Sequence, residues 1–494
     1  MTTAVTRRVP TGVAGFDVLI EGGLLAGGVY IIKGPPGSGK TILANQMSCY
    51  HAGDGGRVAY FTLLAESHAR MITHLRRMRF FRPELVGDGL VYYSGYRVLE
   101  EEGLPGLVKL LRRSAIERGV TLLIVDGIAT AGASSESTRD FKKFVHELQT
   151  LSTSLGCTTI LLSSPEQSHP SPPEHTIVDG LIELSDDLNG LRALRHLEVP
   201  KMRGTRQVRG LHTVEITDDG IVVHPRFEAG VRETHRRIPG PPRRGFGIGE
   251  LDEMLQGGVP NGSITMVIGA SGVGKTTLQL QFLSEGGKRG EKGLYCGFYE
   301  PPDALLAKCK RIHLGIQPSV DAGVVQLMWE RPIEGVLDVI ADRLMRRVRE
   351  TGSTRLCIDG LHTLFRTVDF PERMRAVTAA LAEQLEGLGV TTVFSVETPE
   401  LVGAPDGGIQ VPIDDLSALT HNVIAIRYVE REAHLDRLLS IIKMRDSNYD
   451  RGIRELQITE HGIVLSKLAH SSQQPESSRS GNGNGNKPMK GRHR

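Results

Sequence analysis

The residues with the clearest chemical potential lie in two Gly-rich segments, each a complete G-x-x-x-x-G-K-[ST] pattern. The first runs Gly34-Pro35-Pro36-Gly37-Ser38-Gly39-Lys40-Thr41, the second Gly269-Ala270-Ser271-Gly272-Val273-Gly274-Lys275-Thr276. Such a segment turns sharply, so that successive backbone N–H groups converge on phosphate oxygens. A following helix adds the positive end of its dipole. Lys40 and Lys275 would reach the β- and γ-phosphates, and Thr41 and Thr276 would offer a hydroxyl to Mg²⁺. One match can arise by chance in a Gly-rich chain. Two, each behind an apolar strand-like run (29–33 and 264–268), imply that nucleoside triphosphate is bound twice.

Three further sets of residues stand where phosphate chemistry needs them. Asp126 and Asp359 close apolar runs at 120–125 and 354–358, where an unpaired buried carboxylate would be costly. A hydrated Mg²⁺ beside the loop threonine supplies the missing partner. Lys201 and Arg203, like Lys443 and Arg445, are two positions apart, so on a strand both cations face one side and call for an anion. Glu66 and Glu300 follow the second apolar run of each half, a place from which a carboxylate can orient attacking water.

Around these residues, short apolar runs alternate with helical patterns. Residues 58–64, 121–125 and 158–162 are continuous apolar runs, suited to strands buried on both faces of a parallel sheet. Phe141, Phe144, Val145, Leu148 and Leu151 recur at helical spacing, as do Met374, Val377, Leu381, Leu385 and Leu388. The alternation predicts an α/β fold with a mostly parallel sheet flanked by helices. Asp219-Gly220 and His461-Gly462 predict a hairpin at the C-terminal end of each half. Length alone suggests about three domains, but the loops, aspartates, Lys-Met-Arg triplets and hairpins all recur after about 240 positions. Two units result: 1–229 and 246–468, joined by a Pro-, Gly- and Arg-rich linker at 230–245. A polar tail, 469–494, is expected to be disordered.

Composition excludes other classes. With 39% hydrophobic and 23% charged residues the chain reads as globular. No apolar run reaches the ~18 residues of a membrane span. The five cysteines are scattered without a C-x-x-C pair, as expected of apolar fillers in a cytoplasmic protein. A net charge of +2 makes no global case for nucleic acid.

Taken in order, these motifs resemble the KaiC family of RecA-like ATPases, specifically its double-domain, clock-type members. The resemblance spans residues 8–468. It rests on the segments beginning Gly15-Phe16-Asp17 and Gly249-Glu250-Leu251, both loops, both Asp-bearing strands, Lys201-Met202-Arg203-Gly204-Thr205, and Tyr428-Val429-Glu430 followed by Lys443-Met444-Arg445-Asp446-Ser447. It implies two tandem RecA-like P-loop domains, ATP and Mg²⁺ as ligands, slow ATP hydrolysis, and a homohexameric double ring with nucleotide at subunit interfaces. In the family the matching lysine and arginine reach a neighbour's γ-phosphate, which gives Lys201, Arg203, Lys443 and Arg445 that role. Clock-type members carry two adjacent glutamates where this chain has Ala65-Glu66 and Tyr299-Glu300, so one carboxylate per site remains. Ser417 falls in a stretch that resembles the family's phosphorylation segment. Ala418 stands where the second acceptor would be, so the resemblance implies weak, single-site serine autophosphorylation at most. A KaiB-like or other signalling protein is the implied partner.

A nucleic-acid-dependent ATPase of RecA/RadA type is the second reading. Its channel loops would need Lys and Arg to track a strand. Residues 165–175 contain neither, and 398–415 are acidic. The expected function is therefore that of a signalling or timing ATPase.

Overall fold

The computed structural model describes residues 7–64, 68–133, 137–164, 177–189, 191–230, 240–331, 335–367, 370–398, 420–431, 434–445 and 447–468. Each half opens with a small antiparallel ribbon. In the first half it is β1 (Arg8–Val9) with β2 (Leu24–Leu25). A nine-stranded sheet follows, built from β3 (Val29–Lys33), β4 (Val58–Thr62), β5 (Leu90–Ser94), β6 (Leu122–Asp126), β7 (Thr158–Ser163), β8 (Gly180–Asn189), β9 (Arg192–Met202), β10 (His212–Thr217) and β11 (Gly220–His224). The order is β5-β4-β6-β7-β3-β8-β9-β10-β11, parallel through β8 and antiparallel beyond it.

The second half repeats the plan. β12 (Gly240–Arg244) pairs with β13 (Val259–Asn261). The sheet contains β14 (Ile264–Gly269), β15 (Gly293–Gly297), β16 (Val325–Trp329), β17 (Arg355–Asp359), β18 (Thr391–Glu397), β19 (Asn422–Arg431), β20 (His434–Met444), β21 (Arg454–Thr459) and β22 (Gly462–Lys467). Its order is β16-β15-β17-β18-β14-β19-β20-β21-β22, the same topology. The expected α/β class, the tandem RecA-like arrangement and the terminal hairpins are all present. Residues 240–244, within the linker expected at 230–245, form β12. Pro241 and Pro242 are tolerated there on a short ribbon that does not need every N–H.

Burial on both faces explains the continuous apolar runs. On β3, Tyr30 and Ile32 pack with Leu43, Ala44 and Met47 of the helix Lys40–Gly53. Val29 and Ile31 pack on the opposite face with Phe141, Phe144 and Val145 of the helix Thr138–Leu155. Alternation along the strand divides the two sets. The Thr138–Leu155 helix starts where the Ser137 hydroxyl accepts from Asp140 N (3.2 Å) and stops at Gly156, whose φ of 64° suits glycine. All five cysteines are buried and free, as expected of fillers.

The first unit's terminal hairpin connects three parts of the chain. Its Ile216 and Ile221 lie against Gly39 of the first loop, and Gln46 clasps the backbone of Ile221 through both N–H and C=O. Just beyond β11, Phe227 enters the core of the second unit. There Asp338, 2% exposed, accepts from Phe227 N (2.9 Å) and is gripped by Arg373 at 2.7 and 3.0 Å. Arg373 also holds Glu228 at 2.8 and 3.0 Å.

His224 adds a titratable bridge across this seam. Its Nε2 lies 2.9 Å from Glu215 on the same hairpin, and its Nδ1 lies 3.4 Å from Asp342 of the helix Leu337–Thr351, ion-pair distance without hydrogen-bond alignment. Arg343 and Arg346 flank the two carboxylates. Burial opposes charge on His224, but the two carboxylates outweigh it and raise its pKa, while the contacts with His224 lower theirs. The raised histidine contributes stability below its unfolded pKa and loses it as pH rises through the folded value. The lowered carboxylates lose theirs as pH falls. The bridge should therefore be strongest between roughly pH 5 and 6.5. Thermal unfolding of the protein and of His224→Gln should differ by about 1 kcal/mol near pH 6, both carboxylates being part-exposed. That difference should shrink by pH 8; an unchanged gap would refute the charged bridge.

Candidate nucleotide sites

Both Gly-rich loops leave the carboxyl end of a central strand and run directly into a helix, Lys40–Gly53 or Lys275–Lys288. Gly39 and Gly274 precede these helices at φ of 101° and 112°, conformations that exclude a side chain. A Cβ on Gly34 would stand 2.6 Å from Leu184 O, and one on Gly269 would stand 2.2 Å from Ile426 O. The loops are thus pressed against β8 and β19. Lys40 Nζ donates to the carbonyls of Gly34 (2.7 Å) and Pro35 (3.0 Å), and Lys275 Nζ to those of Gly269 (2.8 Å) and Ala270 (2.7 Å). Burial lowers both lysine pKa values, so an anion in the loop would be the natural partner for each. Ser38 Oγ is buried and has no hydrogen-bond partner among the described residues, capacity that a phosphate oxygen would use.

The strand-end aspartates meet the loop threonines. Thr41 Oγ1 lies 3.3 Å from Asp126 Oδ2, and Thr276 Oγ1 donates to Asp359 Oδ2 at 2.7 Å. Hydroxyl and carboxylate oxygens together form a hard donor set that fits Mg²⁺. Two tyrosines that the motifs did not reveal complete the pairs, one in each unit. Tyr60 OH donates to Asp126 at 2.9 Å and Tyr295 OH to Asp359 at 2.7 Å, while Ser395 Oγ takes the other oxygen of Asp359 at 2.6 Å. Burial and the adjacent carboxylate raise both tyrosine pKa values, so the hydroxyls stay protonated and donate. The tyrosines recur at the same spacing as the loop lysines, a signal in the sequence that could have found them.

In the second unit, Lys275, Thr276, Asp359, Tyr299 and Glu300 line a cavity of about 690 Å³, a volume suited to a small-molecule ligand. Glu300 is drawn to Lys308, 3.2 Å away, and Tyr299 OH shares a 2.7 Å hydrogen bond with Thr363. Glu66 and Ser417 lie outside the described residues.

The Lys-Met-Arg elements are not near the loop of their own unit. Met202 stands opposite Gly180, which pairs with Tyr30, and the loop begins four residues farther along at Gly34. At ~3.3 Å per residue the separation is about 13 Å along the strands. Met444 opposes Asn422, which pairs with Thr265, four residues before Gly269. Arg203 donates to Ile177 O (3.3 Å) and lies 3.8 Å from Asp179, while Lys443 donates to Thr420 O (3.0 Å). In each unit these cations occupy the end of the sheet away from their own loop.

The family model described as the KaiC ATPase matches residues 9–228 and 245–470. The chain belongs to the KaiC family. It is accordingly an ATPase with two RecA-like repeats, and such a domain implies ATP as its ligand. Among similar proteins is the circadian clock oscillator protein KaiC of Rippkaea orientalis, 27% identical over 478 residues, covering 94% of this chain and 89% of the relative. The namesake from Picosynechococcus sp. is 26% identical, covering 93% and 89%. The circadian clock oscillator protein KaiC 1 of Synechocystis sp. is 26% identical, covering 92% and 88%. Among the described residues of this KaiC-family chain, no helix is long and apolar enough to cross a membrane.

Proposed function

We propose that this chain is an ATP-hydrolysing signalling or timing protein of the cytoplasm, acting as a homohexameric double ring. Each nucleotide is held between one copy's loop and the next copy's Lys-Met-Arg element. The register of β9 and β20 carries this reading: set roughly 10 Å or more along the strands from their own loop, Lys201, Arg203, Lys443 and Arg445 serve a neighbour's phosphate better than their own. The relatives' names as clock oscillator proteins support the signalling class; the reader of the ring's state in this proposal is a KaiB-like or other signalling protein.

Mg²⁺ would be held by Thr41 with Asp126 and by Thr276 with Asp359, drawing charge from the β- and γ-phosphates. Loop N–H groups and Lys40 or Lys275 fix the triphosphate, and the neighbour's Arg203 or Arg445 meets charge developing on the γ-phosphoryl group. Glu66 orients water in the first site. Modification of Ser417 is confined to weak, single-site transfer, because Ala418 offers no hydroxyl.

Light scattering and phosphate release test the shared site. Mg-ATP should raise the hexameric fraction by mass action. Arg203→Ala or Arg445→Ala should lower turnover at its own class of site about 10²–10³-fold, with a smaller loss of nucleotide affinity. A monomer at saturating Mg-ATP would remove the trans role. With γ-labelled ATP the same assay separates released phosphate from label retained on the protein.

A further inference from the structure

The two sites differ at one place where the repeat would make them alike. Glu397 ends β18 and pairs in register with Gly269, the first residue of the second loop. Its counterpart in the first unit, one residue past the Lys33–Ser163 pair, is Ser164. Three residues after Asp359 stands His362, where the first unit has Ala129 after Asp126. His362 Nε2 lies 3.9 Å from Glu397 Oε2, and both side chains line the second cavity.

We propose that Glu397, rather than Glu300, is the carboxylate that holds the attacking water in the second site, with His362 as its positioning residue. The assignment rests on the ATPase reading of that site. Four observations carry it. Glu397 stands beside the loop, paired in register with Gly269, and lines the cavity together with Lys275 and Thr276. Its side chain is 43% exposed and open to water, whereas Glu300, as exposed at 41%, is engaged by Lys308. His362 is anchored through Thr363 Oγ1 (3.3 Å) to Tyr299 OH (2.7 Å), the residue standing before Glu300. Finally, His362 Nδ1 is buried without a hydrogen-bond partner among the described residues, polar capacity that a site water would satisfy.

In the step this geometry serves, the water oxygen bonds to the γ-phosphorus as the bond from phosphorus to the β,γ-bridging oxygen breaks. The electron pair of that bond leaves with ADP. The water's proton passes to Glu397 and then to solvent.

The experiment uses the full chain carrying Lys40→Ala, so that phosphate release reports the second site, together with the affinity of a non-hydrolysable ATP analogue. Glu397→Gln is expected to lower kcat about 10²-fold while changing analogue affinity less than about threefold. Glu397→Asp should recover part of the loss, and His362→Asn should cost about tenfold in kcat with KM nearly unchanged. Glu300→Gln should cost less than about threefold. Loss of turnover in Glu300→Gln with normal turnover in Glu397→Gln would overturn the assignment. So would a parallel fall of affinity and kcat in Glu397→Gln, the result of a purely structural carboxylate. Failure of the Lys40→Ala parent to bind the analogue would instead remove the ATPase reading of the second site and, with it, this role.

Discussion

Lys40→Ala and Lys275→Ala should each silence one nucleotide site, and the double substitution should leave no measurable phosphate release. Each ammonium sits at the mouth of its loop, bonded to two loop carbonyls and part-buried, so its charge is weakly solvated where it stands. A triphosphate would place anionic oxygens against that charge in a water-poor site, where the interaction is worth far more than in solvent. Removing one such donor costs about 10²–10³ in turnover. Alanine also frees the Gly34, Pro35, Gly269 and Ala270 carbonyls, so the loop itself should loosen and affinity should fall with rate. Phosphate release and binding of a fluorescent ATP analogue, compared for each single variant, check this. Undiminished release in the double variant would show that hydrolysis occurs outside these loops.

The parts of the sites made by contiguous residues were legible in the sequence. A phosphate loop is one turn with its own strand and helix, and Asp126 and Asp359 end apolar runs that reveal themselves as strands. What escaped is made by juxtaposition across strands distant in the chain. Tyr60 reaches Asp126 only because β4 lies beside β6, and Ser395 reaches Asp359 only because β18 lies beside β17. Neither neighbour relation is written in local spacing. The distance of Lys201 and Arg203 from their own loop likewise comes from hairpin register, which fixes which end of the sheet they occupy. At 240–244, where Pro and Arg read as linker in the sequence, Arg243 donates to the carbonyls of Leu255 and Gly258, contacts between distant residues that composition does not show.

The seam between the units was equally invisible in the sequence, and its key residue should carry a large effect. Arg373→Ala should destabilise the second unit by about 3–5 kcal/mol, because it leaves Asp338, 2% exposed, and the largely buried Glu228 without their shared cation. The cost is that of stranding charge, not of losing attraction alone. Arg373→Met combined with Asp338→Leu and Glu228→Gln should therefore recover much of the loss. Urea unfolding of the single and triple variants tests this; equal destabilisation of both would show that shape, not charge, holds the seam. A functional consequence follows from the same contacts. Phe227 and Asp338 tie the first unit's hairpin to the second unit, and Ile216 and Ile221 of that hairpin rest on Gly39 of the first loop. Cutting the tie should make phosphate release at the first loop indifferent to Lys275→Ala. Where the seam is intact, that substitution should change it, since the hairpin and its continuation touch both units.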